Sequence, residues 1–256
     1  MSNKQGEFIW YELMTSDLEA ARAFYQSVVG WEIGAQSGMP GMDYRMIDAP
    51  DGQVGGMMQL DEEMQSAGGK PLWIGYIGVD DVDATVAAIT AAGGQIFVPA
   101  TDIPGVGRFA MAADPQGAPF YVMRGAVEGG VSTAFSSERV GHFAWNELST
   151  PDPLAALAFY GEVFGWTNPN SMPMGEWGEY RFLHVGDLGI GAVQQSKEAR
   201  ATWLHYVHVP SIAQAVKAVG EGGGAILMGP HEVPGGSSII IGSDPQGARF
   251  ALAGPL

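Results

Sequence analysis

The sequence predicts an α+β fold built from four βαβββ modules, two in each half of the chain. Three observations predict it. First, the chain repeats itself: FIWYELMTSDLEAARAFYQSVVGW at residues 8–31 returns as FAWNELSTPDPLAALAFYGEVFGW at 143–166. Second, the repeat continues further along, where Trp73, Tyr76 and Val79 return as Trp203, Tyr206 and Val209, and Asp114-Pro115-Gln116-Gly117-Ala118 returns as residues 244–248. Third, each half reads as strand, helix, strands, and then the same series again. A long repeat with spaced identities means two copies of one domain of ordinary size.

The elements follow in order. Residues 7–14 alternate like a strand. Ser16-x-x-Glu19 has the form of a capping box, and Leu18, Ala21, Phe24, Tyr25 and Val28 make a helical stripe that Gly30 closes. In the second copy Asp152 stands at the N-cap, Pro153 at the first helical position and Gly165 at the stop. Residues 43–48 and 54–60 are short strand candidates. A second unit opens with LWIGYIGV from Leu72. Asp80 or Asp81 then caps a helix carrying Val82, Val86 and Ile89, ended by Gly93-Gly94. Strands are expected at 95–99, 106–113 and 119–124. The partner unit runs from Trp203 through a helix at 212–219 to Leu252. These readings give a first domain at 1–125, a Gly- and Ser-rich linker at 126–139, and a second domain at 140–256.

Composition limits the functions. The 256 residues are 46% hydrophobic, enough for two domains with real cores. The net charge of −16 argues against nucleic acid or an anionic membrane as partner. With no cysteine there are no disulfides, thiolate nucleophiles or thiolate metal sites. MSNKQGEF has no apolar core of a signal peptide, and no apolar run is long enough to span a bilayer; a soluble cytoplasmic protein is the expectation.

The pattern D-x-x-x-A-x-x-F-Y ending in G-W, then V-D-D-V-D with a helix ending in A-A-G-G, then D-P-x-G before a last strand, resembles the vicinal oxygen chelate superfamily. That superfamily holds glyoxalase I, extradiol dioxygenases and bleomycin-resistance proteins; this chain is most similar to its tandem two-domain, glyoxalase-like branch. The resemblance covers nearly all of the chain apart from the linker. It implies paired modules, each pair curling a mixed sheet into a ligand-holding cup. It implies metal ligands, in the metal-dependent members, on the first and last strands of the modules. Carried over, those slots hold Trp10 and Trp145, Ile74 and Leu204, Tyr121 and Ala251, with a further slot near Met57–Gln59 and near Gly191–Val193. None suits zinc, nickel or iron, so neither a metal nor another cofactor is expected. All five histidines lie in the second half. His205 and His208 form H-x-x-H, but odd spacing on a strand places them on opposite faces.

If the slots point inward, so do their period-2 neighbours. The expected lining is Phe8, Trp10, Glu12, Ile74, Tyr76, Tyr121 and Met123 in the first cup. In the second it is Phe143, Trp145, Glu147, Leu204, Tyr206 and His208. Trp10, Tyr76, Tyr121, Trp145, Leu204 and Tyr206 are thus the candidate ligand-binding residues, an aromatic wall for a small, partly apolar molecule. The same tryptophans also fit a simple core role. Glu12 and Glu147 recur together, and two readings stay open. Each is a structural acceptor for backbone N–H groups or for Arg45 or Arg181, or each is a general base in an apolar cup. His208, which replaces Gly78 of the first copy, joins them as a candidate for acid–base chemistry. The Met-Pro segments 37–44 and 171–180 read as lids over the cups, and the DPQGA runs as turns without chemistry. The leading function is a metal-free small-molecule-binding protein. The alternative is an enzyme of the same superfamily, a lyase, dioxygenase or hydroxylase, metal-dependent or using Glu12 or Glu147 as base. A protein-interaction role through the acidic first half has no motif behind it.

Overall fold

A computed structural model describes residues 3–37, 43–66, 68–127 and 129–256, without the side chains of Glu63 and Trp177. The first module holds β1 (Phe8–Thr15), α1 (Leu18–Val29), β2 (Glu32–Ile33), β3 (Tyr44–Ala49) and β4 (Gly52–Gln59), followed by the short α2 (Glu62–Ser66). The second holds β5 (Leu72–Gly78), α3 (Val82–Ala91), β6 (Gln95–Ile103), β7 (Gly107–Ala113) and β8 (Pro119–Gly125). The third holds β9 (Phe143–Thr150), α4 (Pro153–Phe164), β10 (Ser171–Pro173), β11 (Glu179–Val185) and β12 (Leu188–Gln195). The fourth holds β13 (Thr202–His208), α5 (Ile212–Glu221), β14 (Ala225–Glu232), β15 (Ser238–Ser243) and β16 (Arg249–Gly254). The order βαβββ thus occurs four times, as the repeat requires.

Two eight-stranded mixed sheets result, ordered β2-β3-β4-β1-β5-β8-β7-β6 and β10-β11-β12-β9-β13-β16-β15-β14. Within each module the first strand pairs in parallel with the last, as β1 with β4 and β9 with β12. The remaining strands run antiparallel, as β3 with β4 and β7 with β8. One glycine makes the parallel pairing possible in each repeat. A Cβ on Gly55 would meet the Tyr11 carbonyl oxygen at 2.4 Å, and one on Gly191 the Asn146 carbonyl oxygen at 1.9 Å. Among the described residues no helix is long and apolar enough to cross a membrane.

Helix ends follow local chemistry, with one correction. The N-cap of α1 is Asp17, whose carboxylate accepts from Ala20 N at 3.0 Å; Ser16 does not cap, and Glu19 turns to Arg22 and Arg45 instead. Asp81 caps α3, Asp152 caps α4, and Gly30 and Gly165 end their helices in the left-handed region, as expected.

Contacts divide the chain into two compact units that draw on both repeats. One, here the mid-chain unit, holds Met1–Ile9, Gly75–Ser132 and Trp145–Leu204. The other, the end-module unit, holds Trp10–Ile74, Thr133–Ala144 and His205–Leu256. Each has the same core signature. In the mid-chain unit the Tyr160 hydroxyl of α4 donates to Asp114 Oδ2 at 3.1 Å and accepts from Trp203 Nε1 at 3.0 Å. In the end-module unit Tyr25 of α1 does the same with Asp244 at 3.0 Å and Trp73 at 2.9 Å. Oδ1 of each aspartate accepts two backbone N–H groups of its own turn. The DPQG runs are therefore turns whose aspartate is buried and ties a helix of the other repeat to the sheet, which is more than a turn signal conveys. Burial pushes both carboxyls up and the hydrogen bonds pull them back.

The expected linker is not loose along its length. Ser132 Oγ donates to the Ile9 carbonyl, Ala134 is fully buried, and Phe135 bridges to Phe143. The segment 171–180, expected as a lid, forms the β10–β11 hairpin, with Met172 opposite Tyr180 and Met174 N bonded to the Gly178 carbonyl at 2.7 Å. Most of its first-repeat counterpart, residues 38–42, lies outside the described residues.

Candidate functional site

The site candidates sort first by which face of their strand they occupy. Phe8 and Phe143 leave the expected lining. Phe8 lies 5.7 Å from Trp166 and 5.8 Å from Trp203, in the aromatic core around Tyr160. Phe143 stacks on Tyr11 at 3.7 Å and meets Trp73 at 5.4 Å. The alternation that linked each phenylalanine to the tryptophan two residues on fails because β1 changes partner there. Glu7 bonds to Gly78, whereas from Tyr11 onward the pairing is with β4.

Trp10 and Trp145 behave as a matched pair. In the end-module unit Trp10 Nε1 donates to the Tyr44 hydroxyl at 2.8 Å, and Tyr44 hydrogen-bonds to Glu12. In the mid-chain unit Trp145 Nε1 donates to the Tyr180 hydroxyl at 2.8 Å, and that hydroxyl donates to Glu147 Oε2 at 2.9 Å. An indole N–H, a phenol and a buried carboxylate thus form the same relay twice. One of the two arginines expected beside the glutamates is engaged elsewhere. Arg45 turns to the other face, to Asp43, Glu19 and the Gly34 carbonyl. The carboxylate partner is the tyrosine one residue earlier. The recurring Tyr-Arg dipeptide at 44–45 and 180–181 was the available signal, and its tyrosine was overlooked.

The two relays differ in their surroundings. In the first repeat Glu12 lies opposite Gly56, and Met14 opposite Met58. A Cβ on Gly56 would fall 2.2 Å from the Tyr44 ring, so the ring lies where a side chain would otherwise be. Tyr44 is buried, and burial first, then the Glu12 charge, raises its hydroxyl pKa well above the usual value. In the second repeat the matching pairs are Glu147 opposite Ala192 and Ser149 opposite Gln194. The Ala192 methyl occupies the space that Gly56 leaves open, and Tyr180 stands half-exposed. Gln194 Nε2 donates to Glu147 Oε1 at 2.8 Å and to Ser149 Oγ at 3.1 Å. Trp145 and Tyr180 both meet Phe182, at 6.1 and 5.7 Å between ring centres. Gln194, Ser149 and Phe182 were not singled out in the sequence; their signal is only that they differ from Met58, Met14 and Met46.

Tyr76 and Tyr121 stack at 4.2 Å in the mid-chain unit, both buried. Tyr206 of the end-module unit pairs with Ala251, so no second ring covers it from that position. Leu204 is half-buried. His208 is half-buried on β13, its backbone paired with residues 141–142 and with Ala253. It lies in the end-module unit and Glu147 in the mid-chain unit. The first repeat explains how a histidine fits there: a Cβ on Gly78 would meet Ile9 at 2.9 Å, and the residue matching Ile9 is Ala144. His205 turns the other way, edge-on to Tyr11 at 5.1 Å, and burial lowers its pKa to about 3. The H-x-x-H pair is therefore not a chelating pair. His142 is also buried, with Nε2 2.6 Å from Asp51 and Nδ1 2.5 Å from the Thr133 carbonyl.

A transition-metal centre needs imidazole, carboxylate or thiolate lone pairs. The carried-over slots present indole, aliphatic and phenol groups, and Ile74, Met57 and Val193 are completely buried. Among the described residues no three His, Cys, Asp or Glu side chains gather to hold a metal ion. These residues do not fit a zinc, nickel, iron or manganese centre.

The family model for the Glyoxalase/Bleomycin resistance protein/Dioxygenase superfamily matches twice, at residues 8–122 and 139–252. A protein of Mycobacterium tuberculosis named "Putative glyoxylase CFP32" is 32% identical over 98% of this chain and 96% of its own length. The anthracycline biosynthesis protein DnrV of Streptomyces peucetius is 28% identical over 95% of this chain and 91% of its own. Among solved structures, the Mn(II)-bound glyoxalase from Novosphingobium aromaticivorans superposes with a TM-score of 0.66 at 19% identity, covering 99% of this chain and 83% of that one. A variant of homoprotocatechuate 2,3-dioxygenase from B. fuscum gives 0.69 at 15% identity, covering 98% and 72%. At those identities the structural matches speak for the fold.

Proposed function

Because the chain belongs to the Glyoxalase/Bleomycin resistance protein/Dioxygenase superfamily, we propose that it binds a small, partly apolar molecule without a transition-metal centre. The observation that carries this reading is the state of the first-strand slot. Trp10 and Trp145 stand there, and each indole N–H is committed to a tyrosine that in turn holds a buried glutamate. A position engaged in that way supplies an aromatic wall and a polar anchor for a ligand; it supplies no metal lone pair. One relative is named for anthracycline biosynthesis, and aromatic metabolites are the first ligands to test.

The test has two parts. Elemental analysis of protein purified without chelator is expected to find well under one equivalent of zinc, nickel, iron or manganese per chain. Native mass spectrometry, or titration with aromatic metabolites, is expected to find a ligand whose binding weakens in Trp145→Ala. One equivalent of metal, lost when Glu147 or Glu12 is changed, would overturn the reading.

An enzyme of the superfamily is the second reading, and one observation favours it. Glu147 is a buried carboxylate with a half-exposed tyrosine on one oxygen and a glutamine on the other. That arrangement suits a general base with a phenol beside it, and a mycobacterial relative bears a glyoxylase name. Turnover of a carbonyl substrate that disappears in Glu147→Gln would decide for it.

A further inference from the structure

Arg45 and Arg181 stand at matched places, each one residue after the relay tyrosine of its repeat, but the chain treats them differently. Alternation along β11 turns Arg181 to the face opposite Tyr180, so its role is separate from the relay and from the binding function proposed above. In the first repeat the chain itself neutralises the guanidinium. Arg45 pairs with Glu19, on the first turn of α1, at 3.2 Å and with Asp43, and its side chain is 11% exposed. In the second repeat both carboxylates are withdrawn. Leu154 occupies the place of Glu19, two residues after the capping aspartate. Glu179 occupies the place of Asp43, and its Oε2 accepts from the Ser171 hydroxyl at 2.5 Å. Among the described residues Arg181 makes no ion pair. It lines a cleft of about 470 Å³ with Pro151, Pro153, Leu154, Glu176 and Glu179, all within the mid-chain unit.

We propose that this cleft is a second binding site and takes a free α-amino acid with an apolar side chain. A half-buried guanidinium without an ion pair has given up water and gained no partner, and its planar fork fits a carboxylate at two points. A plain anion is a poor complement, because Glu176 and Glu179 line the same cleft and repel it. Asp152, the third acid of the lining, is spent on the α4 cap, where Oδ1 accepts from Leu154 N and Ala155 N. A plain cation meets Arg181. A zwitterion satisfies both signs, its carboxylate on the guanidinium and its ammonium toward the glutamates. Leu154, which is 63% exposed, and the two prolines supply the apolar wall for its side chain. The first repeat offers no such place, since Glu19 and Asp43 already fill the role of the ligand carboxylate on Arg45.

Three probes of one carbon skeleton test this by calorimetry on the full chain: leucine, leucinamide, which lacks the carboxylate, and isocaproate, which lacks the ammonium. Leucine is expected to bind about tenfold or more tighter than either of the others, the worth of one charge-assisted contact. Arg181→Gln is expected to weaken leucine about tenfold or more and not to weaken leucinamide. Leu154→Glu, which copies the first repeat and sets a carboxylate of the chain on Arg181, is expected to weaken leucine as much. It is the second variant should Arg181→Gln fail to fold, which a thermal melt of each decides. Lys217→Gln, which removes an exposed cation on α5, serves as the charge control and keeps leucine binding. Changing Glu176 and Glu179 together to glutamine is expected to bring isocaproate level with leucine. Isocaproate binding tightest to the unaltered chain would make the cleft a plain anion site and overturn the proposal. Leucinamide binding as tightly as leucine would overturn the role of Arg181. Leucine binding that neither Arg181→Gln nor Leu154→Glu weakens, or no leucine binding at all, would overturn the site itself.

Discussion

Replacing Tyr160 by phenylalanine removes one oxygen from the core of the mid-chain unit and breaks two hydrogen bonds at once. Asp114 Oδ2 loses the donor at 3.1 Å, and Trp203 Nε1 loses its acceptor at 3.0 Å. A hydrogen bond to a charged acceptor is worth about 1.5–3 kcal/mol, and a neutral one about 1 kcal/mol. The expected loss at neutral pH is therefore about 3 kcal/mol, larger than a typical point mutation. The loss is also expected to depend on pH. Burial raises the Asp114 pKa, and the Tyr160 bond is one of the contacts that lower it again. A carboxyl whose folded pKa lies above its unfolded value destabilises the fold once it ionises; the cost is absent below the unfolded pKa and complete above the folded one. Without Tyr160 the folded pKa rises further, so the cost at neutral pH grows. Urea unfolding followed by circular dichroism should thus give the larger penalty at pH about 7, and a smaller one as the pH falls toward the unfolded carboxyl value of about 3.9, below which the ionisation cost is absent. A penalty under about 1 kcal/mol at neutral pH, or one that does not change with pH, would refute the assignment of this carboxylate as a charged anchor.

Three further outcomes are expected. Gly56→Ala places a Cβ 2.2 Å from the Tyr44 ring and should cost about 2 kcal/mol or more in denaturant unfolding, while the reciprocal Ala192→Gly costs about 1 kcal/mol. His205, with its folded pKa lowered to about 3 by burial, contributes stability that is complete above the unfolded value near 6.5 and is lost as pH falls from there toward 3. His205→Leu should flatten that acid limb in a melting-temperature profile, and an unchanged profile would contradict the burial of a neutral imidazole. Asp17→Ala should lower stability by about 1 kcal/mol through the lost cap on Ala20 N, whereas Ser16→Ala should be nearly silent; thermal melts of the two compare them directly.

The repeat, the module order, the helix stops at Gly30 and Gly165 and the caps at Asp81 and Asp152 could be read from the sequence because their physics is local. A glycine in the left-handed region or a carboxylate over the first helical turn depends on neighbours a few residues away, and the pattern recurs in both copies. The opposite facing of His205 and His208 was legible for the same reason, since strand alternation held over three residues. Alternation failed between Phe8 and Trp10, where the strand exchanges β5 for β4, an event set by pairing between distant segments. Tertiary structure alone decided that Tyr44 and Tyr180 meet the glutamates, because facing between β1 and β3 depends on the register of the β4 strand between them. It alone decided that Asp114 and Asp244 are buried anchors, each meeting a tyrosine hydroxyl supplied by the other repeat. A sequence states which residues are present twice; which of them meet is fixed by contacts that close over tens or hundreds of residues, and no local pattern records those.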